Sequence, residues 1–345
     1  MDLVCETETE LKFRLVEIRE VDQNVVIGIN LPEKLIEKPI FSFNKAIEKI
    51  ISLSDWIKEI SYLAFVENRK EIWDLVQNIL YYWNYRDLTR VARNNYSAFI
   101  ENTLRKIVLD IQKENAINYR LDCASSFTPE KAVKELADRA LSHRINDHEL
   151  LETMNEQGLS IGKVKTFLEN YYVNNRLFHL FICALTLCTP FSRRSDLANN
   201  FYDEMGAGDP ALAHPTLFLK NFNGIAGGIP KLITPLPGAL SLANAKTNAA
   251  FLSGNYHYGM GGFGFIELTM PNQMKKILSG LQKSGIKRQD LEFWELHIKV
   301  DIVHGETWFS NMLEIIKTPE DALYCLQGGM SLLDARAKMY DEILK

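Results

Sequence analysis

Cysteine is scarce in this chain of 345 residues, with only five, at Cys5, Cys123, Cys183, Cys188 and Cys325, and no C-x-x-C pair among them. An odd, scattered set provides no disulfide framework and fits a reducing compartment. Long hydrophobic runs are also missing. The most apolar stretch, Leu177 to Cys188, is about twelve residues, where a bilayer span needs about 20. The opening MDLVCETETELKFRL lacks the basic start and apolar run of a secretion signal, so a cytoplasmic protein with no membrane association is expected. Positive charge is not in excess: 39 Lys and Arg stand against 44 Asp and Glu, a formal net charge of -5. The two signs are mixed along the chain, which argues against nucleic acid as a partner. A nucleotide fingerprint is absent as well. Gly259, Gly261, Gly262 and Gly264 in YGMGGFGFIE follow no strand pattern and precede no Lys-Ser/Thr pair, so they do not make a phosphate loop. They are expected to let two helices approach closely.

What is present is a well-mixed globular composition, 46% hydrophobic and 24% charged, able to bury a sizeable core. From Glu10 to Leu31 a partial alternation with β-branched residues predicts one or two short strands or an extended arm. After Pro39 apolar residues recur at helical spacing, predicting helices at about 44–65, 70–83 and 87–114. The run SSFTPEK supplies an N-cap at Thr128 with Pro129 at the first helical position. The domain boundary is therefore placed near residue 125, giving a mainly helical unit over 1–125 and a second over 126–345. In the second, helices are expected at about 129–143, 147–157, 160–188, 193–205, 235–253, 256–269, 271–284, 288–316 and 319–344, separated by Gly and Pro. The N-terminal unit carries Trp56, Trp73, Tyr81, Tyr82 and Trp83, more aromatic surface than a small unit comfortably leaves in water. A homodimer through this region is expected.

The most informative stretch is HIKVDIVH, His297 to His304. At about 100° per residue, Asp301 and His304 fall on the same helical stripe as His297. Any one of them alone is an ordinary polar residue. All three lie in an otherwise apolar helix with Phe293, Trp294, Ile298, Val300, Ile302, Val303, Trp308 and Phe309, where unpaired polar groups are costly. A metal resolves the conflict. Further donors occur in KTFLENYYVNNRLFHLF, with Glu169 and His179, and in GFGFIELTM, where Glu267 is a lone acid in an apolar run.

The order E-x9-H, Glu267, then H-x3-D-x2-H resembles the haem-oxygenase-like di-iron oxidases and oxygenases, over roughly residues 129 to 345. HELLETMNEQGLS, NNFYDEMGAG and His214 extend the likeness beyond the ligands, and the spacing is most similar to N-oxygenating members. The resemblance implies an all-α, haem-oxygenase-like helical bundle with a helical N-terminal extension. It implies metal ligands Glu169, His179, Glu267, His297, Asp301 and His304, holding two Fe(II)/Fe(III) ions. Glu149 and Glu152 are candidates for an extra ligand, and Glu204 and His214 for an extra ligand or a supporting role. Tyr171, Tyr172, Arg176, Tyr256 and Tyr258 are candidates for the substrate pocket. O2 would be co-substrate, an external reductant would supply electrons, and a small molecule would be oxidised. N-oxygenation of an amine or guanidine in natural-product biosynthesis is the expected outcome. Oxidative C–C cleavage, decarboxylation or desaturation by the same cluster is the alternative, and a helical interaction or iron-binding scaffold is the reading from another class.

Three carboxylates against two ferrous ions leave the site nearly neutral, and mixed imidazole and carboxylate donors suit iron better than structural zinc. At about 1.5 Å per residue, ten positions span about 15 Å of helix. The Glu169–His179 pair also differs by about 80° in phase, so a π-bulge is expected in the first metal helix. Gly305, directly after His304, is expected to loosen the last one.

Overall fold

The computed structural model describes residues 14–21, 24–30, 43–89, 95–230 and 235–345. The chain divides into two compact units, Met1–Ile117 and Asn118–Lys345. The boundary expected near residue 125 falls instead within the second unit, in a short 3-10 turn at Asp122–Ser126.

In the first unit, β1 (Arg14–Val21) and β2 (Asn24–Asn30) pair antiparallel, with an irregularity between Val16 and Arg19. The helices α1 (Phe43–Phe65), α2 (Lys70–Leu88) and α3 (Asn95–Glu114) follow. Their apolar faces close on one core that includes Ile57, Ile60, Trp73, Val76, Leu80, Trp83 and Val108. Trp73, Tyr81 and Trp83 are buried, while Trp56 and Tyr82 are half-buried against that core. The aromatics expected at the surface are thus consumed within the unit, because α1 to α3 supply enough apolar area to cover them. Arg105 pairs with Asp87 at 2.6 Å and Arg86 with Glu101 at 2.8 Å, locking α2 to α3.

The second unit is all α: α4 (Pro129–Leu141), α5 (Glu149–Gln157), α6 (Ile161–Asn175), α7 (Phe178–Cys188), α8 (Arg194–Glu204), α9 (His214–Ala226), α10 (Pro237–Thr247), α11 (Tyr256–Lys283), α12 (Glu292–Ile315) and α13 (Pro319–Leu344). Thr128 caps α4 by accepting from Lys131 N, with Pro129 at its first turn, as its sequence predicts. Thr318 and Asp321 form a reciprocal capping box on α13. Three expectations are corrected. The helix expected over 160–188 breaks at Arg176 and Leu177 into α6 and α7. The break expected at Pro271 does not occur: α11 runs through it, leaving the carbonyl of Glu267, four residues back, without its usual helical donor. The helix α9 was not foreseen, because Gly and Pro flank it closely. The one π-turn among the described residues lies at Asn248–Leu252, between α10 and α11, and not in a ligand-bearing helix.

The long helix α11 is central, packing most extensively on α12 and α13. Its glycines make that possible: a Cβ at Gly261 would overlap the carbonyl oxygen of Cys325 on α13, and one at Gly328 would overlap that of Tyr258. Close helix approach, and not a phosphate loop, is what the YGMGGFG run provides. Gly305 acts in the same way. Its Cβ would stand 3.2 Å from Leu268 Cα and 3.4 Å from Glu267 C, so it brings α12 onto α11 beside Glu267 and does not loosen the helix. None of the helices among the described residues is long and apolar enough to cross a membrane.

Candidate metal centre

The stripe predicted on α12 is buried: His297 is 7% exposed, Asp301 2% and His304 5%. On the opposite face, Ile302 and Val303 are exposed. That arrangement inverts ordinary amphipathic order and corrects the expectation that these two apolar residues pack inside. Two three-donor groups form around the stripe. In one, donor atoms of Glu204, His214 and His297 lie within 4.8 Å of one another; in the other, those of Glu267, Asp301 and His304 do so. All six side chains are buried.

The first group is assembled by three helices. Glu204 is the last residue of α8 and His214 the first of α9, so the intervening loop folds back to join them. Glu204 Oε2 lies 2.8 Å from His214 Nδ1, yet that nitrogen has no aligned hydrogen-bond partner. Carboxylate and imidazole converge without one donating to the other. His297 follows on α12, its ring centroid 4.3 Å from that of His214. Since a backbone carbonyl only accepts, His297 Nδ1 donates to Phe293 O at 2.8 Å, which leaves Nε2 with the lone pair. The N-terminus of α12 has no side-chain cap of its own. Asn221 of α9 supplies one, its Oδ1 accepting from Phe293 N at 2.8 Å. The helices carrying His214 and His297 are thereby tied at one point. Beneath them Phe167, Tyr171, Phe218, Phe293 and Trp294 pack edge and face, with centroids of Tyr171 and Trp294 5.2 Å apart and of Phe218 and Phe293 5.2 Å apart, giving a dry floor.

In the second group, His304 Nδ1 stands 3.7 Å from Glu267 Oε2 and 4.0 Å from Asp301 Oδ1, without a hydrogen bond. Its other nitrogen, Nε2, pairs with Asp203 Oδ2 at 3.2 Å, the outer-carboxylate arrangement common behind metal-binding imidazoles. The crowding of these groups shifts their ionisation. Burial, with Glu267 and Glu204 close by, pushes the Asp301 carboxyl well above its usual range. Burial opposes charge on His304, but Glu267, Asp203 and Asp301 outweigh it and raise the imidazole to about 10. Burial and the neighbouring His214 push His297 down to about 3. The orphaned buried His304 Nδ1, the poorly aligned contact of His214 Nδ1 with Glu204 and three crowded carboxylates fit a pair of metal ions.

The structure brings together four of the six side chains expected as ligands, Glu267, His297, Asp301 and His304, and leaves two apart. Glu169, half-buried on α6, and His179, on α7, join neither group. The break at Arg176 and Leu177 places them on two separate helices, with no π-bulge to bring them into phase. His179 keeps an unpartnered Nδ1, and its pKa is lowered, by burial first, with Glu204 acting in the opposite sense. Glu204 and His214, expected as an extra ligand or in a supporting role, stand in the first group. The chain contains E-x9-H twice, and only folding distinguishes the copies. Glu149 is exposed, and Glu152 is held by Lys276; neither approaches the donors.

A cavity of about 40 Å³ opens on these groups, lined by Glu204, Glu267, His297 and Asp301 among others. Tyr171 lines it as expected. Tyr172 instead stacks on Phe218, with Arg176 over its ring at 5.9 Å. Tyr256 packs on His257, and the Tyr258 hydroxyl bonds Ser331 and Asn248. Sequence reasoning missed four polar lining residues, Asn174, Asn175, Lys246 and Arg336. Asn174 Nδ2 donates to Ala239 O at 3.0 Å, which fixes its amide so that Oδ1 remains an unpartnered acceptor; Asn175 Oδ1 is unpartnered too. The burial of polar groups in helices of mixed composition gave no periodic signal by which to find them.

Comparison with known proteins bears on the family and the fold. A family model described as iron-containing redox enzyme matches residues 165–337, a segment that contains all six clustered donors. Among solved structures, a CADD-like protein of unknown function from Nostoc punctiforme is similar at 17% identity, covering 62% of this chain and 96% of that one with a TM-score of 0.52. A TenA homologue from Pseudomonas syringae pv. tomato is similar at 13% identity, covering 66% of this chain and 98% of that one with a TM-score of 0.50. A domain of unknown function with a heme oxygenase-like fold from Shewanella denitrificans gives 18% identity, 65% and 92% coverage and a TM-score of 0.49. At these identities the Nostoc and Pseudomonas structures speak to the fold alone. No curated protein matches the sequence.

Proposed function

The chain belongs to the family of iron-containing redox enzymes, and from that premise we propose that it is a non-haem di-iron, O2-dependent oxygenase that N-oxygenates a small amine or guanidine. The observation that carries the reading is the pair of buried groups, Glu204, His214 and His297 beside Glu267, Asp301 and His304. Three carboxylates and three imidazoles would hold two ferrous ions with a small positive excess. Iron bound there would supply the electrons for dioxygen reduction, renewed by an external reductant.

The chain's own residues supply position and exclusion. The Phe293 carbonyl sets the tautomer and ring plane of His297. Asp203 does the same for His304. The aromatic floor around Tyr171 and Trp294 keeps water out, and the low dielectric strengthens each polar contact within. Asn174 Oδ1 and Asn175 Oδ1 are buried acceptors without donors, suited to the N–H groups of a nitrogenous substrate.

Anaerobic titration with Fe(II), followed by iron analysis of the desalted protein, tests the reading. Two irons per chain are expected, falling to about one in Glu204→Ala, His214→Ala or Glu267→Ala, while Glu169→Ala and His179→Ala retain two. On exposure to O2 with candidate amines, products heavier by one oxygen atom are expected, whereas release of CO2 from carboxylic acids would assign the C–C cleaving alternative. Failure to take up iron, or full uptake in the His214→Ala and Glu267→Ala variants, would sink the proposal.

A further inference from the structure

The cavity beside the metal groups is lined by two buried basic side chains that, among the described residues, have no carboxylate within ion-pair distance. Lys246, on α10, is 2% exposed. Its ammonium lies 5.0 Å over the Phe178 ring and 6.0 Å over that of Phe181, and among the described residues it makes no hydrogen bond or ion pair. Arg336, on α13, is 4% exposed. Its Nη1 donates to Met270 Sδ, a weak acceptor, and its Nε has no partner. Both line the same cavity as Glu204, Glu267, His297 and Asp301. A buried guanidinium cannot escape by losing its proton, so it calls for an anion.

The three acids of the metal groups could serve as that anion only while they are not committed to iron. With two ferrous ions bound, they are already outweighed, and Arg336 and a protonated Lys246 add to the excess. Burial, then Arg336, drive the Lys246 ammonium well below its ordinary pKa, against Glu267 and Glu204. A negatively charged ligand would reverse that balance. A planar guanidinium and a point-charge ammonium together match the two oxygens of a carboxylate.

We propose that Arg336 and Lys246 form a carboxylate subsite beside the metal groups, so that the substrate is amino-acid-like: an acid bound through its carboxylate, with its nitrogen left for oxidation. This inference rests on the di-iron reading above. Asn174 Oδ1 and Asn175 Oδ1 complement it, because acceptors for N–H groups and donors for a carboxylate share one cavity.

Calorimetry on the full chain, loaded with Fe(II) and kept free of O2, tests the subsite without turnover. The probes are L-arginine with agmatine and L-lysine with cadaverine, pairs that differ only by the carboxylate. At least one acid is expected to bind tenfold or more tightly than its amine. Arg336→Met and Lys246→Met should each remove most of that preference, and Arg336→Lys should restore part of it. If neither acid outbinds its amine, or if the preference survives in both Met variants, the subsite is refuted; the wild-type comparison stands even if a variant fails to fold. Iron content measured on the same samples separates the two proposals. Two irons without acid preference refute the subsite alone, and absence of iron refutes the metal reading beneath it.

Discussion

Asn221 ties His214 and His297 together without itself approaching a metal position. Its Oδ1 caps the uncapped start of α12 at Phe293 N, one residue whose own carbonyl orients His297. Removing a helix cap costs about 1 kcal/mol, and the buried Phe293 N–H would lose its acceptor. Asn221→Ala is expected to lower stability by about 1–2 kcal/mol in urea titration and to weaken iron binding by roughly tenfold, more than its modest stability loss implies, because the His297 ring loses its fixed frame. A second prediction concerns acid. Asp341 accepts from Arg144 at 3.1 and 2.8 Å and from His148 at 2.9 Å; the Arg144 bonds hold its carboxyl below the usual range against partial burial. Burial pushes Asp334 the other way, but bonds from His143 at 3.0 Å and Tyr119 at 2.8 Å prevail and it too is depressed. A depressed carboxyl stabilises the fold above its unfolded pKa, about 3.9, and that contribution disappears as pH falls through the folded value. Calorimetric Tm should therefore decline as pH falls from about 5 toward 2, and a variant with both Asp334→Asn and Asp341→Asn should start lower at neutral pH and decline less steeply.

Helix contacts set the position of the donors, and they respond differently to a single methyl group. At Gly261 the added Cβ meets a backbone carbonyl of α13 that cannot move aside; overpacking of this kind costs about 1–3 kcal/mol or more, and Gly261→Ala should lower the denaturation midpoint accordingly. At Gly305 the neighbours are the backbone atoms of Glu267 and Leu268 at 3.2 to 3.4 Å, so α12 and α11 need separate by only a few tenths of an ångström, and the helix gains about 1 kcal/mol in propensity from alanine. Gly305→Ala should leave stability nearly unchanged but reduce iron affinity, because the gap opens between Glu267 and His304; equal affinity would show that the separation is absorbed elsewhere. The sequence made much of this level legible. The α12 stripe announced itself because three polar groups in an apolar helix have only a few physical explanations, and Glu267 stood out for the same reason. The first donor pair was not legible, because E-x9-H occurs at both Glu169–His179 and Glu204–His214. Their merit depends on whether the ten positions are helix or loop, and the decisive elements, the break at Arg176 and Leu177 and the loop between α8 and α9, are not periodic signals. Pro271 misled in the opposite direction, since long-range packing of α11 on α12 and α13 outweighs one missing helical bond.

At the scale of the whole chain, the two units have separate cores, one among α1 to α3 and one centred on α11. The family match begins at residue 165, inside the second unit, and the Nostoc protein is covered over 96% of its own length by 62% of this chain. All six clustered donors, the cavity and the Arg336–Lys246 pair also belong to the second unit. Residues 118–345 expressed alone should accordingly fold with a helical circular dichroism spectrum, unfold in one cooperative step, and take up two Fe(II) per chain with the affinity of the full protein. Sedimentation of that fragment beside the full chain then addresses the expected homodimer on its own terms. The aromatic surface that motivated it is buried within α1 to α3, so a dimer of the full chain that the fragment lacks would have to form through other residues of 1–117, whereas a dimer retained by the fragment would place the contact on the catalytic bundle.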